Sequence, residues 1–313
     1  MCDITSAAQY AYCFQQKKYR TLLSHMTLHR GWHRYGDDIN LQSRPIENTR
    51  QAYLDAVSIG ARFVECDVHC TSDGQVVLAH DPTFRLQSED AESILSNTPI
   101  NQLSWSEIST IRFKDQSEPV LLVTVLGDLR DTGVLLAVEI KDKHCALPLV
   151  SLLSARSDLI SSVGLVMSFD FDEVEAFHQG FVKEAHRLPP FPIAWLLCNP
   201  SIEEKYGPPY HTYSPVNETF DTFLTRVGLL DRFRLMQSGV YLQQNPTTSL
   251  QQMECIRDTV ARILNCNRSE VFIGLWNDSL IDRDIDNSRR VELFKDHVNC
   301  INTDLPSQFF VEE

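Results

Sequence analysis

No stretch of this chain constrains its fold more than Phe63-Val64-Glu65-Cys66-Asp67-Val68. A β-strand sends successive side chains to opposite faces. Val64, Cys66 and Val68 then form one apolar face suited to packing against helices, while Glu65 and Asp67 both point the other way. The stretch Val134 to Lys141 repeats the pattern. There Leu135, Ala137, Glu139 and Lys141 share a face, with Glu139 and Lys141 at the C-terminal end. An unpaired buried carboxylate costs several kcal/mol in practice. Any one of these acids reads most simply as a solvated or arginine-paired charge at a strand end. The set of Glu65, Asp67 and Glu139 needs a common compensation. One divalent cation, Mg²⁺ or Ca²⁺, supplies it, because hard cations take oxygen ligands.

Short apolar runs alternate with helical patterns along the rest of the chain, which indicates an α/β fold with parallel strands. Strands are expected at His25 to Leu28, Phe63 to Val68, Val76 to Ala79, Val134 to Ile140, Gly164 to Phe169, Ile193 to Leu197, Val240 to Leu242, Val271 to Trp276 and Cys300 to Asn302. That is one more than an eight-stranded barrel holds, so one run is misread or lies outside it; Val240 to Leu242 is the weakest. In such a barrel the face opposite the helices is the interior, and Glu65, Asp67 and Glu139 point into it.

A polar helix is expected over Ser6 to Leu23, and a clear one over Thr49 to Ile59, with Tyr53, Leu54 and Val57 on one face and Gly60 as its stop. The helix after Asp172 carries Val174, Phe177 and Phe181, with Asp172 and Glu175 spaced as a capping box. The helix after Ser249 carries Leu250, Met253, Ile256, Val260 and Ile263 at helical spacing. The Pro- and Tyr-rich segment from Asn199 to Leu235 is long for a connection and suits an insertion at the barrel mouth.

Composition bounds the partners. The 313 residues hold 42 Asp+Glu against 28 Lys+Arg, a formal net charge of −14. Nucleic-acid binding rests on Lys and Arg neutralising phosphates, so no nucleic-acid partner is expected, and adsorption to an anionic membrane is disfavoured for the same reason. The hydrophobic fraction of 43% is enough for a sizeable core. No run approaches the about 20 apolar residues of a membrane helix. The opening MCDITSAAQYAYCFQQKKYR lacks the apolar core of a secretory signal. Nine scattered cysteines, an odd number, suit a reduced protein, so cytoplasmic residence is expected. Cys66-x-x-His69-Cys70 has a metal-like spacing, but Cys66 falls on the apolar face and reads as a core thiol. Trp105 reads as a packing residue at a helix start.

Two histidines, His29 and His80, each follow an expected strand. Imidazole titrates near neutral pH, so a pair can serve as acid and base, although a lone histidine at a strand end is more often structural. Arg30 offers a planar donor fork for phosphate, and Lys141 a point charge.

These residues fall in a familiar order. His29-Arg30-Gly31, Glu47-Asn48-Thr49, Gly60-Ala61, Glu65-Cys66-Asp67-Val68, Thr71-Ser72-Asp73-Gly74, Val77 and His80-Asp81 together resemble the glycerophosphodiester phosphodiesterase family of metal-dependent hydrolases. Glu139-Ile140-Lys141, Ser168-Phe169, Trp276-Asn277 and Ile301 to Pro306 are similar to its later strand motifs. The resemblance runs from about His29 to Pro306.

It implies a single-domain TIM (β/α)₈ barrel, with residues 1–24 as an N-terminal helical extension, 25–313 as the barrel, and enlarged mouth loops. It implies His29 and His80 as the acid–base pair, Glu65, Asp67 and Glu139 as metal ligands, and Arg30 and Lys141 as phosphate contacts. Glu47 is expected behind the site and Trp276 at its rim. The loop from Gly31 to Glu47 is longer than the family's usual link, which reshapes the rim around Trp32, His33, Arg34 and Tyr35. Val123-Thr124-Val125 replaces the usual Pro-Thr-Leu, and the Trp-Asn motif lacks its intervening residues.

The implied reaction is hydrolysis of a small glycerophosphodiester, such as glycerophosphocholine or glycerophosphoethanolamine, to sn-glycerol 3-phosphate and an alcohol. Attack by a glycerol hydroxyl through a cyclic phosphate and direct attack by water both fit these residues, and either histidine can start as the base. The alternative is a lysophospholipase D or sphingomyelinase D-like enzyme acting on lysophospholipids. A two-carboxylate glycoside hydrolase leaves His29, His80 and Lys141 unexplained. A non-catalytic binding barrel would be expected to have lost a histidine or a metal ligand.

Overall fold

The computed structural model describes residues 26–33, 44–186, 189–198, 211–215, 217–235, 238–243, 249–276 and 298–303. The expected helix over Ser6 to Leu23, the extension 1–24, and the residues Arg34, Tyr35, Asn277 and Asp304 to Pro306 lie outside these.

Nine strands form one sheet: β1 Met26–Leu28, β2 Phe63–Cys70, β3 Val76–Leu78, β4 Leu135–Ile140, β5 Val163–Ser168, β6 Ile193–Leu197, β7 Ser238–Gln243, β8 Ile273–Trp276 and β9 Cys300–Thr303. Their order is β1-β9-β8-β7-β6-β5-β4-β2-β3, and β1 also pairs with β2. That extra pairing, Thr27 beside Phe63 and Leu28 beside Val64, closes eight parallel strands into a barrel. The ninth is β3. It runs antiparallel to β2, with Val68 opposite Leu78 and Cys70 opposite Val76. The supernumerary strand is therefore Val76 to Ala79, and Val240 to Leu242 belongs to a full barrel strand flanked by β6 and β8.

Helices cover the outside. The principal ones are α1 Arg50–Ser58, α2 Leu122–Leu129, α3 Ala146–Ala155, α4 Phe171–Ala185, α5 Phe220–Arg226, α6 Leu230–Arg234 and α7 Leu250–Leu264. The outer faces of the strands (Val64, Cys66, Val68, Leu136, Val138, Val166, Ile193, Trp195, Val240, Ile273) pack with helix residues such as Tyr53, Leu126, Leu149, Phe177 and Ile256 into one buried layer. Cys66 lies in that layer, as its position on the apolar face requires. The inner faces supply a second cluster: Ala137, Leu165, Met167, Ala194, Leu196, Tyr241, Phe272 and Cys300. Interior space is tight. A Cβ on Gly274 would sit 1.7 Å from the Tyr241 ring, so only glycine leaves that ring its place.

Helix ends follow local chemistry. Ser249 and Gln252 form a capping box at α7, and Met253, Ile256, Val260 and Ile263 face the core. The helix α4 starts two residues earlier than the Asp172–Glu175 spacing suggests: Asp170 caps it by accepting the Asp172 N–H at 2.9 Å. Asp172 and Glu175 instead share Arg232 on α6. The buried face of α1 is Ala52, Tyr53 and Ala56, with Leu54 and Val57 half-buried at its edge.

Of the segment Asn199 to Leu235, residues 199–210 lie outside the described set. The remainder forms α5 and α6, whose Phe220, Phe223, Leu224 and Phe233 are buried in the outer layer. That part is helical cover between β6 and β7. A separate small core, Val77, Ala79, Phe84, Ile100, Leu103, Ile108, Ile111 and Phe113, packs under the long connection that follows β3. Trp105 starts a short helix there, with Ser104 and Glu107 as its capping box, and packs against that core. Among the described residues no helix is long and apolar enough to cross a membrane.

Candidate active site

Strand parity decides what faces the barrel mouth. Leu28, Val64, Val138, Val166, Leu242, Leu275 and Ile301 point outwards. The alternating partners near the C-terminal ends then point inwards. They are His29 after β1, Glu65 and Asp67 on β2, Glu139 on β4, Lys141 after β4, Phe169 after β5, Gln243 on β7, Trp276 on β8 and Asn302 on β9.

Glu65, Asp67 and Glu139 converge: one carboxylate oxygen from each lies within 4.8 Å of the others, and all three residues are buried. Asp67 sits directly beside Glu139 in the β2–β4 register. The two oxygens of each β2 acid are not equivalent. Glu65 Oε2 accepts the Arg30 N–H at 2.9 Å and lies 3.9 Å from His29 Nε2. Asp67 Oδ2 accepts from Asn48 Nδ2 at 2.9 Å and stands 3.1 Å from Arg30 Nε. Glu65 Oε1 and Asp67 Oδ1 are buried with no hydrogen-bond donor among the described residues, and Glu139 Oε1 is buried beside Lys141. Lys141 Nζ makes ionic contacts at 2.9 Å to Glu139 Oε1 and 3.7 Å to Asp67 Oδ1.

This donor set fits a hard divalent cation. It presents three buried carboxylate oxygens close together, donor-free on Glu65 and Asp67 and facing Lys141 on Glu139. The electrostatics point the same way. Burial, and then the neighbouring charge of Asp67, push Glu65 well above the usual carboxylate range. Burial opposes the charge of Asp67 too, but Arg30, then His80, Lys141 and His29, overcome it and hold that carboxyl below the usual range. One acid of the pair thus lacks the positive charge it needs, and a dication would supply it.

Each remaining group is placed by a definite device. His29, Arg30 and Gly31 form the turn after β1, with Arg30 at φ 54° and Gly31 at φ 86°. A Cβ on Gly31 would meet the Ala52 Cβ at 2.8 Å, so the turn can press against α1 only as glycine. Arg30 is held on Glu47 by two bonds from one guanidinium nitrogen, at 2.9 and 3.1 Å. Burial works against its charge, but Asp67, then Glu47 and Glu65, raise it above the usual arginine range. His33 Nε2 lies 4.0 Å from Glu47 on the other side.

His80 does not follow a barrel strand, as its sequence position suggested. It follows β3, and the antiparallel return brings it back over the mouth. Ala79 N–H donates to Asp67 O at 3.1 Å, His69 Nε2 contacts His80 O at 3.3 Å, and His80 Nδ1 pairs with Asp81 at 2.9 Å. The Thr71 to Gly74 turn that makes this return is closed by Thr71 Oγ1 donating to Asp73 at 2.6 Å, with Gly74 at φ 79°.

On the far rim, Trp276 donates from Nε1 to Leu197 O at 3.2 Å and meets Phe169 edge-on at 5.3 Å. Trp32 lies under the Arg44 guanidinium, 4.0 Å from the ring centroid. The structure thus gathers every residue named from the sequence: His29, Arg30, Glu47, Glu65, Asp67, His80, Glu139, Lys141 and Trp276. Sequence reasoning missed Asn48, Tyr53, Phe169, Gln243 and Asn302. Parity would have found the last three; Asn48 stands in the Glu47-Asn48-Thr49 motif and Tyr53 on the helix face, but the bonds that link them to Asp67 are tertiary.

Known proteins resemble this chain in part of its sequence and in its fold. Three rodent and human relatives are named lysophospholipase D GDPD1. The rat protein is 40% identical over 94 residues, 30% of this chain and 25% of the rat protein. The match thus spans about a quarter of the length of these curated relatives. Solved structures resemble the whole fold. The glycerophosphodiester phosphodiesterase of Thermotoga maritima matches with a TM-score of 0.54 and 19% identity, over 90% of this chain and 94% of that one. A phosphodiesterase of Oleispira antarctica, solved with the product sn-glycerol-3-phosphate, matches with a TM-score of 0.57 and 14% identity, over 91% and 94% of the chains. The family model described as the glycerophosphoryl diester phosphodiesterase family matches residues 29–179, from the first site histidine to the middle of α4. That stretch carries the acids, both histidines, Arg30 and Lys141, and over it the chain is similar to the glycerophosphoryl diester phosphodiesterase family.

Proposed function

We propose that this protein is a metal-dependent phosphodiesterase that hydrolyses small glycerophosphodiesters, such as glycerophosphocholine or glycerophosphoethanolamine, to sn-glycerol 3-phosphate and an alcohol. One observation carries the reading: three buried carboxylate oxygens on Glu65, Asp67 and Glu139 converge beside His29, Arg30 and Lys141, with His80 returned over the same mouth. The family-model match over residues 29–179 and the sn-glycerol-3-phosphate bound to the Oleispira phosphodiesterase support it.

Glu65, Asp67 and Glu139 would hold one divalent cation, Mg²⁺ or Ca²⁺. Bound there, it would supply Lewis-acid polarisation of a phosphoryl oxygen. Arg30 and Lys141 balance negative charge on the phosphoryl group. Arg30 does so while anchored on Glu47, which keeps its guanidinium from swinging into solvent. One histidine takes a proton from the attacking water or glycerol hydroxyl and the other gives one to the leaving alcohol; where the glycerol hydroxyl attacks, a water then opens the cyclic phosphate with the two roles reversed. Asp81 holds the His80 ring through Nδ1 at 2.9 Å. Phe169 and Trp276 give the alcohol side an aromatic wall. The nine scattered cysteines support a reducing compartment, so the proposal places the enzyme in the cytoplasm.

A second reading, hydrolysis of lysophospholipids, is favoured by the 94-residue stretch at 40% identity to lysophospholipase D GDPD1. A product assay separates the two. Glycerophosphocholine, glycerophosphoethanolamine, glycerophosphoinositol and lysophosphatidylcholine are offered with and without EDTA. Release of sn-glycerol 3-phosphate from the first three, lost with EDTA, supports the main reading. Turnover confined to lysophosphatidylcholine selects the second. EDTA-resistant turnover contradicts both.

A further inference from the structure

Asp67 is more tightly constrained than its neighbours in the acidic cluster, and the constraint comes from a residue with no assigned role. Asn48 lies in the left-handed region at φ 55°, a conformation that asparagine tolerates better than most residues. It is 1% exposed, against 0% for Tyr53 and 1% for Asp67, so water cannot substitute for any bond among the three.

The bonds run in one direction. Tyr53 O–H donates to Asn48 Oδ1 at 2.8 Å, and Asp67 N–H donates to the same oxygen at 3.2 Å. Two donors on Oδ1 fix the amide orientation, so Nδ2 must face Asp67, and it donates to Asp67 Oδ2 at 2.9 Å. Asn48 therefore grips Asp67 at both its backbone and its carboxylate. Arg30 Nε, 3.1 Å away, stands on that same Oδ2. The protein occupies Oδ2 from two sides and leaves Oδ1 donor-free, beside Lys141 and within the cluster of Glu65 and Glu139.

We propose that Asn48, itself held by Tyr53, is a positioning residue that commits Asp67 to bind the divalent cation through Oδ1. The inference rests on the metal reading above. Without the Asn48 amide, the Asp67 carboxylate is free to turn about its last bond and offers either oxygen to its neighbours. Orienting bonds of this kind typically contribute about 10- to 100-fold to metal affinity.

The test uses the full chain, stripped of metal, with Mn²⁺ as the probe in isothermal titration calorimetry. Asn48→Ala is expected to bind Mn²⁺ roughly 10- to 100-fold more weakly than wild type. Tyr53→Phe, which keeps the buried ring, is expected to weaken binding in the same direction but less. Saturating Mn²⁺ should restore the kcat of both variants towards the wild-type value. A merely structural role would lower the thermal midpoint and leave the Mn²⁺ affinity of the folded protein unchanged. If Asn48→Ala does not fold, Tyr53→Phe decides alone: an affinity equal to wild type overturns the proposal. Wild type that binds no Mn²⁺ overturns the metal reading and this one with it, whereas wild type that binds with both variants equal to it overturns only the role of Asn48.

Discussion

The backbone N–H of Arg30 donates to Glu65 Oε2 at 2.9 Å, across 35 residues of sequence. A charge-assisted bond to a fully buried carboxylate fixes which Glu65 oxygen is left for other partners. It also ties the first strand of the barrel to the second at the point where chemistry is proposed. The bond exists only because Arg30 and Gly31 both adopt positive φ, which turns the chain sharply after β1.

Gly31→Ala tests that turn. A left-handed conformation costs a non-glycine residue about 1–2 kcal/mol, and the new Cβ would press on Ala52 at 2.8 Å. Adding an overpacking cost of about 1–3 kcal/mol, a loss of roughly 2–5 kcal/mol in urea unfolding is expected. Folded variant should also lose activity, because the turn carries His29 and Arg30. Wild-type stability would mean that the turn is not held as described.

Arg30→Lys keeps a positive charge but cannot reach Glu47 and Asp67 at once as the planar guanidinium does. The expected result is a fall in kcat of about 10-fold or more, with the fold intact by circular dichroism. Equal steady-state constants for variant and wild type would show that charge alone matters at this position.

Much of this was readable in the residues. The two-residue alternation of β2 and β4 was enough to bring Glu65, Asp67 and Glu139 to one side, since a strand has only two faces. The alternation did not reveal which apolar run stands outside the barrel. Val76 to Ala79 has the composition of a barrel strand, and the direction of pairing is a tertiary fact: β3 turns back on β2 and delivers His80 to Asp67. The weak look of Val240 to Leu242 has a packing cause. Gly239 stands where a Cβ would lie 2.0 Å from Phe272 O, so the strand needs a residue that lowers its strand propensity.

His178 on α4 offers a pH test remote from the site. It is buried, and its Nε2 has no hydrogen-bond partner among the described residues. Burial lowers its pKa, with Glu175 opposing more weakly. The unfolded chain therefore binds a proton that the folded one resists as pH falls below about 6.5. Its contribution to stability is present above that pH and is lost as the pH drops towards the folded-state value. His178→Gln should shrink the loss of stability between pH 7.5 and pH 5.5, read from urea midpoints. An unchanged loss would mean that the imidazole titrates alike in both states.

The most direct measurement follows sn-glycerol 3-phosphate release from glycerophosphocholine by chelator-stripped protein, as Mg²⁺ or Ca²⁺ is added back, for wild type, His29→Ala and His80→Ala. Activity should return with the cation in wild type. Each alanine variant should be slower by about 100- to 10,000-fold at saturating cation. Full activity in the stripped protein, or undiminished release by both alanine variants, would contradict the assignment of this site.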